Sequence, residues 1–165
     1  MVYGVFNNAA YHPAHTKTYT SLTDTTNVYF TAYDSAGGPA AENKNYDVNT
    51  TWLWGYNHTC PVAKVVGASY ATALSYINNA VLQNPSSDSA LRTELNKIRT
   101  GLAGTTALVT TYTYSPLLGI TSLTDPSGKT VYYQYDDHGR LSVVLDQYNN
   151  VVKAYSYIFT NPQAP

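Results

Sequence analysis

Apolar and polar residues alternate with period two through much of the chain. Val28, Phe30 and Ala32 fall on one side of an extended segment, with Tyr29, Thr31 and Tyr33 on the other. Further on, Leu108, Thr110, Tyr112 and Tyr114 share a side, as do Val131, Tyr133 and Tyr135, and then Leu141, Val143 and Leu145. Such alternation marks strands, because successive side chains point to opposite faces of a sheet. Turn residues punctuate the runs near positions 116, 126, 137 and 148, among them Asp125-Pro126-Ser127-Gly128 and Gln147-Tyr148-Asn149-Asn150. A turn at about every 10 or 11 residues predicts a succession of antiparallel hairpins. Lys153 shares its parity with Tyr155 and Tyr157, which marks a sheet edge or a charge reaching back to solvent.

The period changes at Ala68. Tyr70, Ala73, Leu74, Ile77 and Val81 recur at helical spacing, and Pro85 lies just past the expected helix end. Ser86–Ser89 offers capping residues for a second helix, in which Leu91, Leu95, Ile98 and Leu102 form one stripe and Gly101 and Gly104 favour termination. The expected fold class is therefore mainly β. Successive antiparallel β-hairpins form a curved sheet, with an α-helical hairpin inserted at about 69–102 and covering one sheet face. The chain divides into a degenerate hairpin and aromatic strand segment (1–67), the helical insertion (68–104), the hairpin repeats (105–159) and a tail (160–165).

The first half is less regular. Tyr3, Val5 and Phe6 can start a strand that Asn7-Asn8 turns, and residues 35–50 read as a polar loop. His12 and His15 stand three apart, the spacing of half a metal site on a helix. Pro13 opposes a helix and no carboxylate or cysteine follows nearby, so the segment reads as a solvated loop and no metal site is expected. Trp52, Trp54 and Tyr56 fall two apart and share a face if extended, Asn57-His58 turns the chain, and Pro61–Val66 returns. A row of exposed aromatics can stack on sugar rings, but the same row more often packs as core.

Composition narrows the classes. Of 165 residues only 12% are charged and the net charge is −1, so no polyanion-binding surface is expected and nucleic acid is not a partner. There are 17 Tyr against 3 Phe and 2 Trp; a Tyr- and Thr-rich, charge-poor chain suits an extracellular β-protein. Cys60 is the one cysteine, so no internal disulfide framework exists, and it reads as a small buried residue. No apolar run reaches the roughly 20 residues of a membrane span. Met1–Ala10 lacks the basic and apolar regions of a signal peptide, so any export signal is expected upstream or of another kind.

One motif repeats. Tyr33-Asp34-Ser35-Ala36-Gly37 has the spacing of Tyr135-Asp136-Asp137-His138-Gly139, and Tyr114, Tyr135 and Tyr157 recur at intervals of about 21 residues, as do Asp125 and Asp146. Asp in such a turn can accept backbone hydrogen bonds, and Gly supplies the positive φ. Tyr135-Asp136-x-x-Gly139-Arg140-Leu141 followed by Asp146 resembles the tyrosine-aspartate repeat of the RHS/YD-repeat family, and Asp125-Pro126-x-Gly128 and Asn149-Asn150 fit its linking turns. The resemblance covers residues 112–157. The Trp52-to-Val66 segment, the helical insertion and the later repeats together resemble the C-terminal repeat region of such proteins from Bacteroidetes-type bacteria. The resemblance implies large secreted or surface proteins whose repeats form a β-ribbon spiralling into a hollow shell, in several members around a toxic C-terminal domain. It implies structural repeat residues: the Tyr packs, and the Asp and Gly make the turn. Tyr114 is followed by Ser115 rather than Asp, Gly119 comes one residue late, and Ile158 follows Tyr157. Only one repeat is complete, and arrays need about three; the chain is thus expected to be a piece of a longer protein or a truncated relative.

Three functions compete. The first is a non-catalytic structural segment whose partners are the remaining repeats of a longer chain, or other copies through sheet edges. The second is a carbohydrate-binding surface module with Trp52, Trp54 and Tyr56 as platform, Asn57, Asn149 and Asp146 as polar contacts and a polysaccharide as partner. The third is a glycoside-active enzyme drawing on Asp125, Asp136, Asp137 and Asp146. Those carboxylates fall in turns, where Asp has a structural task. No cofactor motif and no nucleophile-base arrangement stands out, so no catalytic residue is assigned.

Overall fold

The alternation extends further than the sequence suggests. The computed structural model describes residues 2–6, 10–19 and 25–158, and in it eleven strands form one antiparallel sheet in strict chain order. They are β1 (Val2–Phe6), β2 (Ala10–Tyr19), β3 (Thr25–Tyr33), β4 (Pro39–Lys44), β5 (Asn49–Gly55), β6 (Cys60–Val66), β7 (Leu108–Ser115), β8 (Gly119–Thr124), β9 (Thr130–Tyr135), β10 (Leu141–Leu145) and β11 (Val151–Ala154). Each strand pairs with its sequence neighbours, so the sheet is an open meander ending at β1 and β11. Three helices, α1 (Tyr70–Ser75), α2 (Asn79–Gln83) and α3 (Asp88–Gly101), lie between β6 and β7. None of the described helices is long and apolar enough to cross a membrane.

The core lies between the helices and the middle of the sheet. Leu53, Val62, Ala63, Val65 and Val109 from β5–β7 meet Ala73, Leu82, Leu91, Leu95, Ile98 and Leu102 from the insertion. Leu53, Leu82, Leu91, Leu95 and Ile98 are each at most 1% exposed, and burial of one such side chain contributes about 1.5–3 kcal/mol. The stripe expected in the second helix is thus the stripe buried. Because α1 and α2 rest on β5 while α3 rests on β7, the insertion ties the two halves of the sheet over one core.

The structure departs from the pattern reading in four places. The first expected helix is broken at Tyr76–Asn78: the Asn78 side chain accepts the Ala80 N–H and starts α2 anew, while the Asn78 N–H donates to Glu94 Oε1 at 2.6 Å. Leu82 rather than Val81 then enters the core. Second, the polar loop expected over 35–50 contains β4, paired on both sides, with Ala40 and Ala41 buried. Its small side chains carry too little apolar signal to announce a strand. Third, His12–His15 lie within β2, not in a solvated loop. His12 stacks on Tyr33 at 4.4 Å and His15 on Tyr29 at 5.2 Å, and Pro13 is accommodated beside a register shift. The Asn7-Asn8 turn and the 160–165 tail lie outside the described residues. Fourth, the inward face of β7 is Val109, Thr111 and Thr113, while Leu108 is 53% exposed. The helices supply polar partners that make a threonine face tolerable inside, as Asp88 does for Thr113.

Candidate functional site

The repeated aspartates build one turn four times. Asp136 Oδ1 accepts the N–H groups of His138 and Arg140 at 2.9 and 3.0 Å, while the Asp136 N–H closes onto the Arg140 carbonyl at 2.8 Å. Gly139 sits at φ 73° and donates back to the Asp136 carbonyl. Asp34 repeats this with Ala36 and Gly38 and with Gly37 at φ 86°, and Asp146 repeats it with Tyr148 and Asn150 and with Asn149 at φ 64°. Asp125 accepts from the Ser127 hydroxyl and the Lys129 N–H, with Gly128 at φ 87°. The carboxylates are held as acceptors. The Arg140 side chain first and its N–H second bring Asp136 down to about 2. The Ser127 hydroxyl lowers Asp125, and the Asn150 amide lowers Asp146.

The tyrosines lock one strand to the one before it. Tyr33 donates its hydroxyl proton to the Pro13 carbonyl, Tyr114 to Pro61, Tyr135 to Ile120 and Tyr157 to Leu141, at 2.7–2.9 Å. Burial raises Tyr33 and Tyr135 and takes Tyr114 up to about 12, so these phenols stay protonated donors. Gly119, one residue late for the repeat, is what admits Tyr135: a Cβ at that position would lie 2.7 Å from the Tyr135 hydroxyl oxygen. Arg140 joins one repeat to the next. It pairs with Asp136 at 2.7–2.8 Å through two nitrogens and lies over the Tyr157 ring at 4.4 Å. Leu141 completes the motif by pairing with Tyr135 and giving its carbonyl to Tyr157.

Residues 118–146, the span from the β8 hairpin through the Asp146 turn, match the family model described as RHS Repeat. This segment is an RHS repeat. No curated protein matches the chain. Within the RHS repeat every named motif residue makes a backbone or inter-repeat contact, so the motif describes a hairpin unit and its coupling to the next one. The helical insertion is fastened to that unit by Arg99, whose Nη2 donates to the carbonyls of Val109 and Asp125 at 2.8 and 2.7 Å.

The expected aromatic platform is divided. Trp52 and Trp54 alternate with buried Thr51, Leu53 and Gly55, so they lie on the face away from the helices. There they line a groove of about 260 Å³ with Pro39, Glu42 and Pro61, and Trp54 Nε1 donates to the Pro39 carbonyl. Tyr56 leaves that face because the chain turns left-handed at Tyr56, Asn57 and His58 (φ 50–62°). It packs instead against the core and edge-on to Tyr114 at 5.9 Å. Asn57, Asn149 and Asp146 do not line the tryptophan groove.

Two contacts had no sequence signal. His58 Nδ1 meets Asp34 Oδ2 at 2.7 Å, with Asp34 only 3% exposed, which ties the β5–β6 turn to the β3–β4 turn. Asp88, at the start of α3, accepts from the hydroxyls of Thr113 and Thr121 across the sheet. Both pairs are more than 20 residues apart in the chain, beyond any local pattern. Among the described residues no group of three or more His, Cys, Asp and Glu side chains is placed to hold a metal ion.

Proposed function

We propose that the chain is a non-catalytic structural segment of an RHS/YD-repeat protein, secreted or at the cell surface, giving strands to a larger β-sheet shell or scaffold. The observation that carries this reading is the directional coupling of the repeat. Each Tyr grips the preceding strand and Arg140 grips the next Tyr. β11 ends the sheet with all four residues exposed, Val151 and Val152 at 64% each. Among the described residues no strand pairs with the outer side of β11, and an unpaired edge is a template for another strand. The partners in this reading are further repeats of a longer chain, or other copies through the same edge. Asp125, Asp136 and Asp146 each accept hydrogen bonds within their own turns, which supports a structural task for these three carboxylates.

Sedimentation velocity and thermal melts of this chain over a range of concentrations test the reading. Concentration-dependent association is expected, and Val152→Lys on β11 is expected to reduce it. A strictly monomeric chain with a cooperative, concentration-independent melt would count against an edge that needs partners.

A second reading rests on the tryptophan groove. Trp52 and Trp54 are half-buried in an open apolar groove with a single carboxylate, Glu42, beside them, an arrangement suited to stacking on a sugar face of a polysaccharide. Quenching of tryptophan fluorescence by neutral oligosaccharides, lost in Trp52→Ala, is the expected result; unchanged fluorescence would remove this reading.

A further inference from the structure

A second cavity lies away from the tryptophan groove, where the insertion meets the sheet. It measures about 540 Å³, within the usual range of small-molecule sites. Tyr56 and Tyr114 form an aromatic wall, and Asn84, Ser87, Asp88 and Thr121 bring amide, hydroxyl and carboxylate groups to the same space. Asp88 is fixed from outside its own helix. Its Oδ2 accepts from Thr121 on β8 and, at 3.3 Å, from Thr113 on β7; Thr113 is itself fully buried and bonded to Ser122 at 2.6 Å. That hydroxyl chain orients the carboxylate before any ligand arrives. Tyr56 is held in the same way: its hydroxyl oxygen accepts the Tyr114 N–H at 2.9 Å, which leaves its proton to be donated elsewhere.

The lining sets the ligand class. Among the described residues no Lys, Arg or His lines the cavity. Arg92 approaches Asp88 only to 3.9 Å, and its guanidinium lies over the Tyr132 ring at 5.2 Å and reaches Ser122 at 3.5 Å. An anion would meet the Asp88 carboxylate, while Arg92 is already engaged by Asp88, Ser122 and the Tyr132 ring. A neutral ring bearing several hydroxyls would donate to Asp88, exchange hydrogen bonds with Asn84 and Ser87, and lay its apolar edge on the tyrosines. Among the described residues one carboxylate, Asp88, lines the space, whereas glycoside hydrolysis uses two. We infer that this cavity is a binding site for a neutral pyranose or the neutral end of a glycan, without cleavage. The inference is independent of the structural reading and of the tryptophan groove.

The test is titration of the ¹⁵N-labelled chain with methyl glucoside, methyl galactoside, methyl mannoside and glucuronate, followed by amide shifts. Saturable shifts at residues 84–88 and 114–121 are expected with at least one methyl glycoside, and weaker ones with glucuronate. Asp88→Asn is expected to weaken binding about tenfold, the loss of one charged hydrogen bond. Ser115→Trp, at a lining residue that takes no part in the Asp88 hydrogen bonds, is expected to abolish it by occupying the space, while Trp52→Ala on the other face leaves it unchanged. The inference is overturned by any of three results: no saturable shift with any methyl glycoside, shifts centred on Trp52 and Trp54 instead, or binding unchanged in Ser115→Trp.

Discussion

Gly119 offers the sharpest test of how the repeat is held together. Its φ of 142° is one that L side chains rarely adopt, and a Cβ there would lie 2.7 Å from the Tyr135 hydroxyl oxygen and 3.4 Å from Cζ. Gly119→Ala therefore carries two separate costs. Backbone strain is of order 1–3 kcal/mol. In addition the hydroxyl must move away, losing its 2.8 Å bond to the Ile120 carbonyl, which contributes about 1 kcal/mol. Together the substitution is expected to cost about 3 kcal/mol in urea unfolding. The two terms separate in a double-mutant cycle with Tyr135→Phe, which removes the clashing atom. In that background Gly119→Ala is expected to cost about 1–2 kcal/mol less, leaving the backbone strain. Gly128→Ala is the control: its φ is 87° but the nearest atom to its Cβ, Arg99 Nε, is 3.9 Å away, so it shows strain and no coupling to Tyr135. Additivity within about 0.5 kcal/mol for Gly119 and Tyr135 would refute the claim that this glycine exists to admit the tyrosine.

Three further outcomes follow from the same contacts. Asp136 is lowered from 3.8 to about 2, so its contribution is present above the unfolded value and is lost as pH falls through the folded one; Asp136→Asn is expected to flatten the acid limb of Tm against pH between those values. Arg140→Lys keeps the charge but loses the planar guanidinium that pairs with Asp136 and lies over Tyr157, and is expected to cost about 1 kcal/mol in chemical denaturation, with little further loss when Tyr157→Leu is added. His58→Ala removes a partner of buried Asp34, which keeps its bonds to the Ala36 and Gly38 N–H groups; a loss of about 1–3 kcal/mol is expected, and a change below a few tenths would show that the pair is not structural.

The repeat hairpins were legible because their information is local. Tyr, Asp, Gly and Arg of the 135–140 motif act on neighbours within a few residues or on the adjacent strand, so spacing alone announces the turn and the period. The stripe of α3 was legible for the same reason. β4 and β2 were not: Ala40, Ala41 and His12–His15 carry weak or mixed signals, and they are strands because both neighbours offer hydrogen-bonding edges. The break between α1 and α2 depends on Glu94, which burial would raise but which Lys97 and the Asn78 N–H bring below the usual carboxylate range.

The amino-acid sequence by itself determined the mainly antiparallel sheet, the helical insertion and the RHS repeat, since each is written in a short-range period or in the chemistry of a turn. Tertiary structure alone decided which face each aromatic serves. Trp52 and Trp54 stay on one side while Tyr56, two residues on, crosses to the core because three consecutive left-handed residues reverse the alternation. It also decided which aspartates are free to meet a ligand. Asp136 is closed by its own turn, whereas Asp88 is oriented by threonines about 25 and 33 residues away, at distances along the chain that no periodicity spans.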